Sequence, residues 1–369
     1  MAAGAPSTSH TRTRTSKLRA DSRVRETAHV ITEPFSPENP VRWGVLSTSA
    51  FAEHRFLPGL RKSAAIDVTA VASRDLARAR EYADRNAIAH AYGSYEELLA
   101  DPSIEVIYNP LPNHLHVEWT RKAAEAGKHV LCEKPMAINA AELEQLRTHT
   151  NKAHIDEAFM VRRHPQWIET RDRVRAGEIG ELTHAHIAFA YTNHDPANIR
   201  NIADAGGGAL YDIGCYAVVA ARWFFESDVL RAVSMIDRDP TFGTDRRSAG
   251  MLDLGGGRFV QMSVSTQSVF HQRVHLFGTK GRLEITIPFN QPQDEPITYL
   301  THDGSSLAGL DATHHVVATA DQYTLLGEWF SHKVRHEAPT SAGLDDASAN
   351  MRVLDALFRS ATSARFETV

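Results

Sequence analysis

Between Val41 and about residue 160, short apolar runs alternate with amphipathic stretches, and this alternation restricts the fold more than any other feature of the chain. Val41–Ser47 reads as a buried strand, followed by helical spacing over Ala50–Lys62 interrupted at Pro58-Gly59. Ile66–Ser73 is rich in β-branched residues and reads as a second strand; Asp75–Asn86 is helical. A short helix over Tyr95–Ala100 is stopped by Asp101-Pro102, and a strand over Val106–Asn109 ends in Pro110-Leu111-Pro112. A helix over His116–Ala126 closes at Gly127, and strand His129–Cys132, helix Ala140–His149 and strand Ala158–Val161 follow. Such repeated alternation calls for a doubly wound parallel sheet, with all strand C-termini on one edge where ligands bind.

The texture changes after about residue 180. Leu182–Tyr191, Val229–Asp237, Ser248–Leu254, Arg258–Ser265, Arg273–Phe277 and Arg282–Ile287 read as strands, some joined directly by the turns Gly255-Gly256-Gly257 and Gly278–Gly281. Short turns make an antiparallel sheet. Asp321–Arg335 and Asp345–Ser360 read as closing helices. The expected organisation is a disordered extension over residues 1–40, an α/β nucleotide-binding domain over 41–160, and an α+β domain with one large open antiparallel sheet over 161–369.

Composition removes several function classes. A formal net charge of -5 does not suit a general nucleic-acid binder. No apolar run approaches the roughly 18 residues of a membrane span, and Tyr216–Phe225 is broken by Arg222. Cys132 and Cys215 match no metal-ligand spacing, the 20 histidines are scattered, and no metal site is expected. Two reduced thiols suit the cytoplasm. The start of the chain carries Arg12, Arg14, Lys17, Arg19, Arg23 and Arg25 among Ser and Thr. It lacks the apolar core of a secretory signal, and a transit peptide is the alternative to plain disorder.

Four segments could carry chemistry. In the first turn, Ser47 and Ser49 stand where a dinucleotide-binding loop usually has its first two glycines, and Ala52 takes the third place. Small residues there let backbone N–H groups at a helix start approach a pyrophosphate. At the end of the second strand, Ser73-Arg74 replaces the usual acidic residue; a hydroxyl and a guanidinium suit a 2′-phosphate, which points to NADP, with NAD as the alternative. Glu133-Lys134-Pro135 puts a lysine on the ligand edge. After Gly206-Gly207-Gly208, a helix would bring Asp212 and Tyr216 to one face at i and i+4. A tyrosine serves as general acid/base when a nearby cation lowers its pKa.

Taken in order, the small-residue turn, Ser73-Arg74, Pro112-Asn113-His114, Glu133-Lys134-Pro135 and the Gly-Gly-Gly-x-x-x-Asp-x-Gly-x-Tyr run at Gly206–Tyr216 resemble the glucose–fructose oxidoreductase/inositol dehydrogenase family. The resemblance runs from Val41 to the C-terminus. The stretches Glu157–Arg162, Asp195–Arg200 and His275–Thr279 are similar to its xylose/aldose dehydrogenase-like and dihydrodiol dehydrogenase-like branch. It implies a Rossmann domain, a C-terminal sheet that faces the active site and builds dimers or tetramers, Lys134 as catalytic lysine, Asp212 as substrate-orienting carboxylate and Tyr216 as acid/base. The cofactor would meet Ser47, Thr48, Ser49, Ala50, Phe51, Ser73, Arg74, Pro110, Leu111, Asn113, His116, Glu133, Lys134 and Arg162. The substrate, a small sugar or polyol, would meet Lys134, Asp212 and Tyr216, with Arg163, Tyr191, Asn193, Arg200 and His315 as further candidates. The two serines depart from the family's glycines.

The expected reaction is hydride transfer between NADP and a CH–OH carbon of a sugar. Keto-sugar reduction, inositol oxidation and dihydrodiol oxidation fit the same motifs. A non-catalytic NADP-sensing regulator would be favoured had Lys134 or Tyr216 been lost, and both are present.

Overall fold

The computed structural model describes residues 39–369. The expected disordered extension therefore lies almost entirely outside the described residues. From Val41 the chain runs β1 (Val41–Leu46), α1 (Leu57–Leu60, entered through a π turn at Ala52–Phe56), β2 (Ile66–Ala72), α2 (Leu76–Arg85), β3 (His90–Tyr92) and α3 (Tyr95–Ala100). It continues through β4 (Val106–Asn109), α4 (His116–Glu125), β5 (His129–Cys132), α5 (Ala140–Leu143) and β6 (Ile155–Glu157). The six strands form one parallel sheet in the order β3-β2-β1-β4-β5-β6. Strand order reverses between β1 and β4, and a crevice opens outside their C-terminal ends.

Local chemistry accounts for the elements. Val41, Trp43, Val45 and Leu46 of β1 are wholly buried, as a central parallel strand with both faces covered requires. Asp75 starts α2 by accepting the N–H groups of Ala77 and Arg78 at 2.8 and 3.2 Å, and Ser94 starts α3 by accepting that of Glu97. One expectation fails here. The last strand is Ile155–Glu157, not Ala158–Val161, and Met160–Arg163 is a 3₁₀ turn. Pairing with β5 is complete at Glu157, and Phe159, Met160 and Val161 reach the core from the turn that follows. A short apolar run does not distinguish a strand from a buried turn. Near Pro58-Gly59 the helix is irregular but unbroken: helical backbone runs from Ala50 to Leu60, and the stretch before Pro58, Ala52–Phe56, is a π turn, the kind of local adjustment that a residue without an N–H calls for.

After α6 (Pro165–Arg175), β7 (Leu182–Thr192) opens a second sheet. It continues through α7 (Cys215–Phe225), β8 (Arg231–Arg238), β9 (Asp245–Gly255), β10 (Arg258–Ser265), β11 (Gln267–Gly278), β12 (Arg282–Ile285), β13 (Ile297–His302) and β14 (Ala312–Val317). The chain closes with α8 (Gln322–His336), α9 (Ala342–Ser363) and the two-residue β15 (Glu367–Thr368). The nine strands lie in the order β14-β13-β12-β11-β7-β10-β9-β8-β15. Every pair is antiparallel except β7 with β10, so the large sheet is mixed at one seam. Its inner face, carrying Ile187, Phe189, Met262 and Leu276, is buried, and α7, apolar almost all round, packs on β7.

The closing helices return to the first sheet. Lys333 of α8 pairs with Asp156 of β6 at 2.7 and 2.9 Å with both side chains under 10% exposed, and the Trp43 indole of β1 donates to Ser331 of α8. Asp355 of α9 accepts the N–H of Ala140 at the start of α5. Among the described residues no helix is long and apolar enough to cross a membrane, and both cysteines are free and buried.

Removing one member of a buried ion pair strands the other charge. Asp156→Asn is therefore expected to cost about 3–5 kcal/mol of unfolding free energy. Urea denaturation measures this, and a loss below about 1 kcal/mol would contradict the assignment.

Candidate active site

Along the C-terminal edge of the parallel sheet lies a cleft of 1320 Å³, and the second sheet closes its far side. At one end sits the turn after β1. Ser47 adopts a left-handed backbone (φ 76°) and is tied to β2 through its N–H to the Ala72 carbonyl at 2.9 Å. Ser49 Oγ accepts the N–H of Ala52 at 3.3 Å and its carbonyl accepts the Tyr82 hydroxyl, so the serine acts as a helix cap. Ser47, Thr48, Ser49, Ala50 and Phe51 all line the cleft. The serines thus achieve the turn for which glycine is usual.

The same cleft takes in Ser73 and Arg74 after β2, and Arg78 one helical turn further on. Arg78 escaped the sequence reading although its i+4 spacing from Arg74 was there to see. Exposed guanidinium groups beside a small-residue helix start suit an anionic dinucleotide that bears an additional phosphate. Pro110, Leu111, Asn113, His116 and Glu133 form the adjoining wall. Three of these have duties inside the protein. Asn113 donates to the Gly206 carbonyl at 2.8 Å, tying this wall to the glycine loop. The His116 ring lies between the carbonyls of Pro135 and Leu111 at 2.8 and 2.6 Å, and burial lowers its pKa to about 4. Glu133 accepts the Tyr108 hydroxyl at 2.6 Å.

At the centre Lys134 leaves the end of β5. Its Nζ donates to the Asp212 carbonyl at 2.7 Å and to Asp212 Oδ1 at 3.1 Å, both side chains being 11% exposed. The other carboxylate oxygen of Asp212 accepts the Tyr191 hydroxyl at 2.5 Å and faces Arg200 Nε at 3.0 Å. Burial raises the Asp212 pKa, but the Arg200 and Lys134 charges outweigh it and hold the carboxylate well below the usual range. For Lys134, burial pulls the ammonium toward neutrality, yet the Asp212 charge prevails and its pKa lies above the ordinary lysine value. Met136, two residues on, is anchored through its N–H to Glu157 Oε1 at 2.8 Å.

Asp212 stands in a π turn, Leu210–Gly214, that opens into α7. A buried carboxylate fixes the start of this helix. Asp245 Oδ2 accepts the Leu210 N–H at 2.7 Å and the Ser248 hydroxyl at 3.0 Å. Gly208, with φ 120°, passes so close that a Cβ there would stand 1.9 Å from Asp245 Oδ1, so only glycine fits.

Tyr216 lies on the same helix and lines the cleft, but its chemistry differs from expectation. Lys134 Nζ sits 5.1 Å over its ring, while the hydroxyl points to the Met160 sulfur at 3.5 Å. Burial pushes its pKa well above 10, opposite to the lowering that an acid/base tyrosine needs. The tyrosine hydrogen-bonded to the carboxylate is Tyr191. Asn193 and Arg200 also line the cleft, whereas Arg162, Arg163 and His315 do not. Arg162 pairs with Asp346 at 2.5 Å, drawn to α9 by that charge. Arg163 stacks over Trp329 at 3.7 Å. His315, on β14, is held by Arg173 and Thr301 and stacks on Tyr299. Asn290 and Tyr323 reach the cleft from beyond β12 and from α8, positions without any local sequence signal. No group of metal-ligating side chains occurs among the described residues.

A parallel sheet with a capped helix start, joined to a second sheet that closes over a lysine–aspartate pair, is an arrangement suited to a nucleotide-dependent enzyme, and the relatives of the chain give its class as oxidoreductase. Residues 41–156 match the profile described as an oxidoreductase family with an NAD-binding Rossmann fold, and residues 167–284 match the GFO/IDH/MocA C-terminal domain. An uncharacterized oxidoreductase of Rhizobium meliloti is 45% identical over 332 residues, covering 89% of this chain and 99% of that protein. The NADP-dependent D-xylose 1-dehydrogenase 2 of Haloferax volcanii is 35% identical, covering 86% and 97%. Among solved structures, a 3-ketoreductase from Actinomadura kijaniata in complex with NADP and TDP-benzene superposes with a TM-score of 0.81 at 28% identity, covering 87% and 98%. The chain belongs to the Gfo/Idh/MocA family and is an NAD(P)-dependent oxidoreductase.

Burial holds the Asp245 pKa up to about 6. Its folded-state value lies above the value of about 4 for a free aspartate, so ionising it costs stability as pH rises between the two. Asp245→Asn is therefore expected to keep or raise stability at pH 7 while lowering turnover, because the start of the helix bearing Asp212 is less firmly held. Calorimetry beside steady-state kinetics checks this; lost stability with unchanged turnover would overturn it.

Proposed function

We propose that this oxidoreductase moves a hydride between NADP and a hydroxyl-bearing carbon of a sugar, as an aldose dehydrogenase does. The observation that carries the reading is the Lys134 ammonium, held by the carboxylate and the carbonyl of Asp212 in the middle of the cleft. NADP is the cofactor. The turn Ser47–Phe51 would hold its pyrophosphate, and Ser73, Arg74 and Arg78 its 2′-phosphate. When bound, its nicotinamide gives or accepts the hydride.

The chain's own residues position the substrate and handle the proton. Asp212 accepts a hydrogen bond from a substrate hydroxyl and fixes Lys134; Tyr191 and Arg200 fix Asp212 in turn. Lys134 exchanges the proton with the reacting oxygen, because the Tyr216 hydroxyl is turned to Met160 and its ring supports the lysine. Asn193 contributes further substrate contacts. Keto-sugar reduction is the second reading, favoured by the likeness to a 3-ketoreductase. The open outer face of the second sheet, with Met235 and Val316 exposed, supports assembly as a dimer or tetramer through that sheet. Two buried free thiols support a cytoplasmic location.

A panel of aldoses, polyols and keto-sugars, assayed by reduced-nicotinamide absorbance with NADP and with NAD, tests the reading. NADP is expected to be favoured about tenfold or more, roughly 1.4 kcal/mol, and Arg74→Ala should remove most of that preference. Equal use of both cofactors would sink the assignment. Lys134→Ala should lower turnover by about a hundredfold with NADP still bound, whereas Tyr216→Phe should cost less than about tenfold. The raised Lys134 pKa also sets a pH dependence. Oxidation needs the neutral amine, so its rate should climb with pH into the alkaline range; reduction uses the ammonium and should stay level around neutrality. An oxidation rate independent of pH would remove Lys134 from the proton path.

A further inference from the structure

Past the reaction centre the cleft adjoins a second cavity of 390 Å³, and Phe189, Tyr191 and Asn290 line both. Tyr191 is the partition, since its hydroxyl is spent on Asp212 Oδ2 and its ring is left to wall both spaces. Beyond it the pairing of β7 with β11 slips between Gln267 and His271, and the bulged segment carries Val269 and Phe270 outward, 81% and 84% exposed. Gln272 Oε1 accepts the N–H groups of Phe289 and Asn290 at 2.9 and 3.1 Å, so the loop bearing Asn290 is pinned against the bulge. His271, Arg273 and Thr286 complete the polar part of the lining.

This composition has a chemical meaning. An exposed aromatic ring rimmed by an amide, an imidazole, a guanidinium and a hydroxyl matches the two-sided character of a pyranose, whose C–H face packs on aromatic carbon while its hydroxyls take planar hydrogen bonds. The volume falls within the range of about 300–1,000 Å³ typical of small-molecule sites. We propose that the side cavity is a subsite for a second sugar ring, so that the preferred substrate is a disaccharide or other glycoside whose reacting ring lies at Lys134 and whose second ring rests on Phe270. The inference depends on the sugar reading given above.

The test compares xylobiose with xylose, and cellobiose with glucose, in the NADP-linked assay. The disaccharide should show a kcat/KM about tenfold higher, mainly through KM, in line with the roughly 10-fold and upward worth of a filled apolar subsite. Phe270→Ala should bring the disaccharide down to the monosaccharide's value and leave the monosaccharide unchanged. Thr286→Trp, which fills the cavity while keeping Phe270, should do the same. Turnover of monosaccharides without discrimination by the wild type overturns the subsite and leaves the sugar reading standing. So does an equal loss on both substrates in Phe270→Ala, or a change only in its oligomeric mass by light scattering. No turnover of any sugar overturns both.

Discussion

The contact between Lys134 and Asp212 joins the parallel sheet to the turn that opens α7, in the middle of the candidate active site. The lysine leaves the end of β5 in the parallel sheet; the aspartate rides on the turn that opens α7 against the mixed sheet. Neither side chain could be buried alone at acceptable cost, and each makes the other's burial tolerable. Around the pair the protein sets Arg200 on the other side of the Asp212 carboxylate, with the Glu133 carboxyl close enough to feel both cations. On the proposed reading the Lys134 ammonium would meet the substrate oxygen that gains electron density on reduction, and these contacts hold it in place beforehand.

Holding that arrangement uses groups that do no chemistry. Asp245 is a costly carboxylate placed under a helix start, and Gly208 is confined by it to a conformation that other residues resist. Glu157 anchors the backbone just beyond Lys134. Such buried polar supports give geometry at some expense in stability, as strained or polar interiors near reaction centres commonly do.

Much of this was legible in the sequence because it is local. Strands β4 and β5 and helix α3 could be bounded from their flanking Asp, Pro and Gly residues, and Lys134, beside Pro135, and Asp212, after three glycines, stood out as charged residues next to turn signals. Tyr216 was legible as a cleft residue, but not the direction of its hydroxyl, which depends on Met160, 56 residues away. Arg162, Arg163 and His315 were misplaced for a related reason: each is claimed by a distant partner that no spacing rule identifies. Arg78 was the opposite case, readable from its place one turn after Arg74. The mixed character of the large sheet was hidden because hairpin turns report only on sequential strands, whereas the parallel seam joins β7 to β10 across α7 and a hairpin.

The return of the closing helices also bears on how the chain is made. The indole of Trp43 finds its hydrogen-bond partner 288 residues later, and the charge of Asp156 waits 177 residues for Lys333. During synthesis the parallel sheet must leave the ribosome with the flank destined for α8 and α9 still bare. Its folding as a finished unit is deferred until α8 and α9 have been made, since contacts of such long sequence separation form late and expose apolar surface meanwhile. A nascent chain halted before residue 320 would thus present that flank to chaperones, although every strand of its nucleotide-binding sheet had already been made.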